Sequence, residues 1–244
     1  MKNLFKNIFA RIWALWALIS FILSFLVIFL PAMLSYLMKE PRGQVYFLWV
    51  SRMWMNMWLH LAGCSFRIKG KHNFAKGEQY VVVFNHNALL DVPLSCPYVP
   101  GPNKTIAKAS FAKVPLFGWF YQKGSVLVDR SSDTSRSRSF EQMKKVLSNG
   151  MHMCIYPEGT RNRTDKPLKP FYDGAFKLAV LSGKDVIPTI IRGTREAMPI
   201  HKSFYFLPQK LSMEFLPPVT SKCKSVDALK EEVYQIMLNE YTKK

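Results

Sequence analysis

The pattern of apolar and polar positions divides the chain into two parts. Residues 12–38 are almost wholly apolar, from Ile12-Trp13-Ala14 to Tyr36-Leu37-Met38, with Lys2, Lys6 and Arg11 before them and Lys39 and Arg42 after. The portion ahead of Pro31 would reach about 28 Å as a helix, close to the roughly 30 Å of a bilayer core. A cleaved signal peptide fits poorly, because the apolar run is long and no Ala-x-Ala site closes it. Residues 44–62 form a second apolar helix whose polar positions, Arg52, Asn56 and His60, recur every four residues as one narrow stripe. Such a helix lies in a membrane interface or packs on the first. A single span would place the cationic N-terminus opposite the basic remainder, against the positive-inside tendency. A hairpin bent near Pro31, held at or within one leaflet, keeps the cations together.

From Cys64 onward the pattern changes. Short β-branched and aromatic runs read as strands: Phe66–Gly70, Tyr80–Phe84, Thr105–Lys108, Gly124–Arg130, Met153–Tyr156, Val186–Ile191 and Lys210–Leu216. Between them lie helical stretches, including one capped by Ser132-Asp133 and running to about Leu147, one over Gly174–Leu181, and an amphipathic one over Ser225–Lys244. Strands separated by helices imply crossovers, and hence an α/β fold with a mostly parallel sheet flanked by helices. Pro188 inside its run predicts a strand near the sheet margin. The expected division is residues 1–63 as N-terminal membrane-associated helices and 64–244 as an α/β domain.

Charge narrows the class of partner. The chain has 244 residues, 34 Lys+Arg against 16 Asp+Glu, and a formal net charge of +18. That surplus favours polyanions. No zinc-finger spacing, RNA-binding signature or basic helix leading into heptads is present, so no nucleic-acid partner is expected. Beside the apolar N-terminus, the charge points to anionic lipid. Cys64, Cys96, Cys154 and Cys223 form no C-x-x-C pair, which predicts reduced thiols and no metal site.

Candidate chemistry gathers at strand ends. Tyr80–Phe84 stops at Asn85-His86-Asn87, and Asp91 follows five residues after the His. Positions i and i+5 are not neighbours on a helix, so His86 and Asp91 meet only across a turn between strand and helix. The carboxyl end of a buried strand is where open α/β sheets place chemistry, and a His oriented by a carboxylate there is a general base. The bland alternative is a turn His bonded to a helix-capping Asp. Three further runs end in charge: Lys108, Asp129-Arg130, and Pro157-Glu158-Gly159-Thr160-Arg161. In a parallel sheet these ends share one rim, where Arg forks and a Lys point charge suit phosphate oxygens. Gly159 lets backbone approach a ligand closely, and amides near it are candidate oxyanion donors. Taken singly, each Arg reads as a solvated charge.

These residues resemble the 1-acyl-glycerol-3-phosphate acyltransferase family. Its four ordered blocks are matched by Asn85, His86 and Asp91 (N-H-x4-D), by Gly124 to Arg130, by Pro157 to Arg161 (P-E-G-T-R), and by Val186-Ile-Pro188-Thr-Ile. The likeness runs from about residue 64 to 192. Ala88 stands where the family often has Ser, and Tyr172-Asp173 where it often has a basic pair.

The resemblance implies transfer of an acyl chain from acyl-CoA or acyl carrier protein to the sn-2 hydroxyl of lysophosphatidic acid, giving phosphatidic acid. His86 would be the base, Asp91 its orienting partner, and Lys108, Arg130, Glu158, Gly159, Thr160 and Arg161 the phosphate side. It implies no metal and no cofactor beyond the thioester, and a site on the cytoplasmic face of a membrane such as the bacterial inner membrane. Other lyso-acceptors, and a non-catalytic module that holds anionic lipid, are the alternatives.

Overall fold

The computed structural model describes residues 2–129 and 132–243, with side chains from Leu4 onward. Helix α1 (Lys2–Met33) runs through Pro31, and a 3-10 turn (Leu34–Leu37) leads to α2 (Arg42–Leu61), so the chain reverses just past the proline. The two helices are antiparallel and joined by indole donors. Trp13 Nε1 donates to Ala62 O at 3.0 Å, Trp58 Nε1 to Ala17 O at 2.9 Å, and Trp54 Nε1 to Ser24 Oγ at 2.9 Å. Each bond removes a polar hydrogen from surroundings that offer few other partners. The outer face of α1 stays exposed, with Leu4, Ile12, Leu23, Val27 and Leu30 on it. Among the described residues, Leu4–Leu37 is the one segment long and apolar enough to cross a membrane, at mean hydropathy 2.6.

The remainder alternates strand and helix. In order come β1 (Ser65–Lys69), β2 (Val81–Phe84), α3 (Asp91–Ser95), β3 (Asn103–Lys108), α4 (Phe117–Lys123), β4 (Ser125–Val128), α5 (Asp133–Ser148) and β5 (His152–Ile155). Then follow α6 (Gly174–Ser182), β6 (Val186–Arg192), α7 (Thr194–Ala197), β7 (Lys210–Phe215) and α8 (Val226–Thr242). Ser132 caps α5 as its position suggests, its hydroxyl accepting from Ser135 N–H at 3.2 Å. The strands form one seven-stranded sheet in the order β1-β7-β6-β2-β5-β3-β4. Every pairing is parallel except β6 with β7.

Pro188 does not mark a marginal strand. The strand with Pro188 is β6, which lies inside the sheet between β7 and β2. Pro188 is tolerated because β7 pairs only with Thr189–Arg192, so the missing donor falls just beyond that ladder. The Pro188 carbonyl still accepts from Leu216 N–H at 2.9 Å.

The sheet separates two apolar clusters. Val82, Phe84, Cys154 and Ile187 point into one, together with Phe47, Trp54 and Trp58 of α2 and with Leu94 and Tyr98, so the helix hairpin and the sheet share a core. Val81, Val83, Met153 and Val186 point into the other, beneath α5, α6 and α8. The connection leaving β2 therefore covers the first face, and the connection leaving β5 covers the second. β2 and β5 are neighbours. Adjacent parallel strands whose connections part to opposite faces leave a crevice at their carboxyl ends, the usual ligand position in open α/β sheets. In this chain the crevice lies between His86 and the loop after Ile155.

Candidate active site

The turn after β2 is held from both sides. Asn85 is buried, and its side chain extends the β2–β6 ladder, with Oδ1 accepting from Ile191 N–H at 2.7 Å and Nδ2 donating to Ile191 O at 2.9 Å. The His86 N–H donates to Glu158 Oε1 at 2.7 Å, and the His86 carbonyl accepts from Asn162 N–H at 2.7 Å. Both backbone groups of His86 are thus engaged by the loop after β5, so the imidazole is presented from a fixed point.

The chain then folds back so that Asp91, at the start of α3, meets His86. Asp91 Oδ2 lies 2.9 Å from His86 Nδ1 and also accepts from Asn87 N–H at 2.6 Å and Ala88 N–H at 2.8 Å. Those amide donors define the carboxylate's position before the imidazole is considered. Asp91 is fully buried while the His86 side chain is 16% exposed, so one partner anchors and the other faces the crevice. A carboxylate on Nδ1 favours the tautomer with its proton there, leaving Nε2 as the basic nitrogen. The Tyr156 ring lies under the imidazole, centroids 4.5 Å apart, and its hydroxyl is 2.7 Å from Ser95 Oγ. Burial pushes the Tyr156 phenol well above its usual range, so it stays neutral.

Glu158 is fully buried. One oxygen takes the His86 amide and the other takes Lys169 N–H at 3.0 Å. Burial raises its carboxyl, and those two amides and the nearby positive charge partly offset the rise. Glu158 thus sits beneath the crevice as a strut between two loops. The Gly159 and Thr160 amides are engaged within the turn, donating to Tyr156 O at 3.0 Å and Glu158 O at 2.8 Å. Gly159 adopts φ +71°, a left-handed value at which a side chain would be strained. Thr160 Oγ1 accepts from Lys169 Nζ at 2.6 Å.

A family model described as Acyltransferase matches residues 65–192, more than half of the chain. The chain belongs to the acyltransferase family. It is 30% identical over 186 residues to a 1-acyl-sn-glycerol-3-phosphate acyltransferase of Chlamydomonas reinhardtii, covering 73% of this chain and 55% of that protein. To the human 1-acyl-sn-glycerol-3-phosphate acyltransferase alpha it is also 30% identical over 186 residues, covering 73% of this chain and 64% of that protein. The chain thus spans between half and two thirds of the length of these curated relatives. In fold it is similar to the crystal structure of the 1-acyl-sn-glycerophosphate (LPA) acyltransferase PlsC from Thermotoga maritima, at TM-score 0.79 and 23% identity, over 99% of this chain and 96% of that one.

Within this acyltransferase fold, the parallel order β2-β5-β3-β4 sets the remaining candidates along one rim. Gly159, Thr160 and Arg161 follow β5, beside His86. Lys108 ends β3, two strands from β2, or about 10 Å at the usual spacing. Arg130 lies outside the described residues. Lys108 is exposed and Arg161 half-buried, and neither forms an ion pair among the described residues. Among the described residues, no group of three or more His, Cys, Asp or Glu side chains could hold a metal ion.

Sequence reasoning passed over four supports: Asn85 as ladder extension, Asn162 on the His86 carbonyl, Lys169 on Thr160, and Tyr241 of α8. The Tyr241 hydroxyl accepts from Asn87 Nδ2 at 3.2 Å. Two Asn flanking the His in a buried strand end, with no turn glycine, were the available signal for the first of these.

Proposed function

We propose that this acyltransferase moves an acyl chain from an acyl thioester, acyl-CoA or acyl carrier protein, to the sn-2 hydroxyl of 1-acyl-glycerol-3-phosphate, producing phosphatidic acid. The observation that carries the reading is His86 Nδ1 held 2.9 Å from a buried Asp91, at the mouth of the β2–β5 crevice. His86 Nε2 takes the proton of the acceptor hydroxyl as its oxygen attacks the thioester carbonyl. Asp91 stabilises the imidazolium that forms. When the tetrahedral intermediate collapses, the C–S bond breaks and the imidazolium returns its proton to the departing thiolate. The thioester is already activated, so no Ser or Cys nucleophile is needed. An imidazole whose Nε2 is free to accept a proton suits the task of general base.

Arg161, Arg130 and Lys108 hold the acceptor phosphate, and so bring its free hydroxyl beside Nε2. A phosphate at Arg161, one strand spacing of about 5 Å from His86, is within reach of a glycerol backbone. Thr160 and Gly159 complete the loop that receives it. Glu158 acts from below, fixing the His86 backbone and the 158–169 loop.

The acceptor is a lipid, so the crevice must open at a bilayer. Immediately after Lys108 come the exposed apolar residues Phe111, Val114, Leu116 and Trp119. They belong to the α4 region, which packs on α1 through Phe117 against Phe25 and Trp119 against Phe29. The apolar face of α1 and one end of the rim therefore form a continuous surface. Residues 1–63 serve as the membrane-seated hairpin and 64–244 as the reacting domain, with the cations of both ends on the cytoplasmic side of the bacterial inner membrane.

The test is thiol release from an acyl thioester, followed with a thiol reagent, with and without lysophosphatidic acid in mixed micelles. Release that depends on the acceptor is the predicted result. Lipid binding without release would replace the transferase reading with a lipid-holding module, and release with a different lyso-acceptor alone would change the substrate.

A further inference from the structure

A cavity separate from the crevice lies at the β1 edge of the sheet, on the face covered by α2. It has a volume of about 390 Å³ and opens between α2 and the edge strand β1, which stands three strands from β2. Its floor is apolar, built from Leu59, Phe66 and Ile68, and its mouth carries Arg52, Asn56, His60 and Lys71. No Asp or Glu lines it. The polar stripe of α2 is therefore one wall of a cationic cavity.

Two of these polar groups, Asn56 and Arg52, are held in place. Tyr98 Oη donates to Asn56 Oδ1 at 2.6 Å, which commits the Asn56 carbonyl and leaves its amide hydrogens as what it can offer. Burial pushes the Tyr98 phenol up to about 12, so it remains a neutral donor. Arg52 Nε donates to Pro97 O at 2.7 Å, while the two terminal nitrogens of that guanidinium have no protein partner among the described residues. Lys71 stands exposed opposite. An Arg fork anchored through its Nε, a Lys and an amide donor above an apolar floor suit a phosphate oxygen cluster.

Position selects the source of that phosphate. Successive helix residues are about 100° apart, so Met53, Met57 and Leu61 lie on α2 between the stripe and α1. They are 54%, 43% and 38% exposed and continue the bare apolar face of α1. The cavity mouth thus borders the surface that would rest in lipid. We propose that this cavity binds the phosphate of an anionic phospholipid, as a second lipid site separate from the crevice, with the acyl chains lying over Met53 and Met57. It requires neither His86 nor acyl transfer, so it stands or falls apart from the proposed reaction.

The test is native mass spectrometry of the full chain released from micelles containing equal amounts of phosphatidylglycerol and phosphatidylcholine. Wild-type protein should retain phosphatidylglycerol in preference. Arg52→Gln with Lys71→Gln should weaken that retention about thirtyfold, since two cations near a lipid surface contribute on the order of 1 kcal/mol each. Lys71→Gln alone, a change on an exposed turn, should show part of the loss if the double variant folds poorly. Lys145→Gln with Lys222→Gln removes the same charge from other surfaces and should change nothing. Equal loss in that control, or full retention in the Arg52 and Lys71 variants, overturns the site. Displacement of the lipid by excess inorganic phosphate alone would mark a free-anion site and overturn the lipid assignment.

Discussion

Replacing Asp91 with Asn separates the charge of the orienting carboxylate from its shape. Asp91 Oδ2 accepts from His86 Nδ1, Asn87 N–H and Ala88 N–H at 2.9, 2.6 and 2.8 Å. An Asn oxygen in the same place keeps those bonds, so the turn and the tautomer persist. What disappears is the attraction between carboxylate and imidazolium. At an effective dielectric constant of about 20, unit charges 2.9 Å apart attract by roughly 6 kcal/mol. With the proton about half transferred in the transition state, roughly 3 kcal/mol is lost, or about a hundredfold in kcat. If the amide flips and presents its NH2 to Nδ1, the wrong tautomer takes the loss toward 10⁴-fold. The assay is acceptor-dependent thiol release under saturating substrates, with thermal unfolding in the same detergent as a check on folding. Acceptor KM should stay near its wild-type value. A folded variant with kcat within about threefold of wild type would refute the charge role assigned to Asp91.

Arg161→Ala should raise the KM for lysophosphatidic acid while leaving the thioester KM near wild type. The reverse pattern would move Arg161 from the acceptor to the donor. Glu158→Ala removes the acceptor for two half-buried amides, and loss of such partners costs on the order of 1 kcal/mol each, so unfolding should shift by several degrees; an unchanged transition would deny the strut. His152 gives a pH test. Its Nδ1 accepts from Tyr80 N–H at 3.0 Å, and burial pushes the imidazole down to about 4. The unfolded chain, near 6.5, therefore binds the proton first, so stability is full above about pH 6.5 and falls as pH drops toward 4, by up to roughly 3 kcal/mol. His152→Asn, which keeps an acceptor for Tyr80, should flatten that slope, and an unchanged slope would assign it to other groups.

Much of the architecture could be read from local patterns because those patterns match local physics. The continuous apolar runs at Tyr80–Phe84 and Met153–Tyr156 mark buried strands, and the strands there, Val81–Phe84 and His152–Ile155, are buried along their whole length. Ser132 and the spacing of Met143 and Leu147 marked a capped helix with one buried side. The meeting of His86 and Asp91 was also legible, since an i+5 pair at a strand end can close only across a turn. The mostly parallel sheet was legible from the helical crossovers, but the reversal of β7 was not, because a two-residue period is the same whichever way a strand runs. Pro188 misled because its effect depends on how far the neighbouring strand extends. Long-range charge pairs were invisible as well. Lys123 Nζ is buried 2.9 Å from Glu40 Oε1, tying α4 to the turn after α1 across 83 residues of sequence. Glu158 could not be distinguished from a ligand-binding carboxylate until both oxygens were seen on backbone amides.

The most direct measurement is the turnover of His86→Asn, whose side-chain amide can still donate to Asp91 from the place of Nδ1 but offers no base at Nε2. In a folded variant with lysophosphatidic acid and an acyl thioester, kcat should fall by at least the roughly 10²–10⁴-fold typical of general-base loss. Turnover close to wild type would remove the imidazole from the reaction and with it the reading of the crevice.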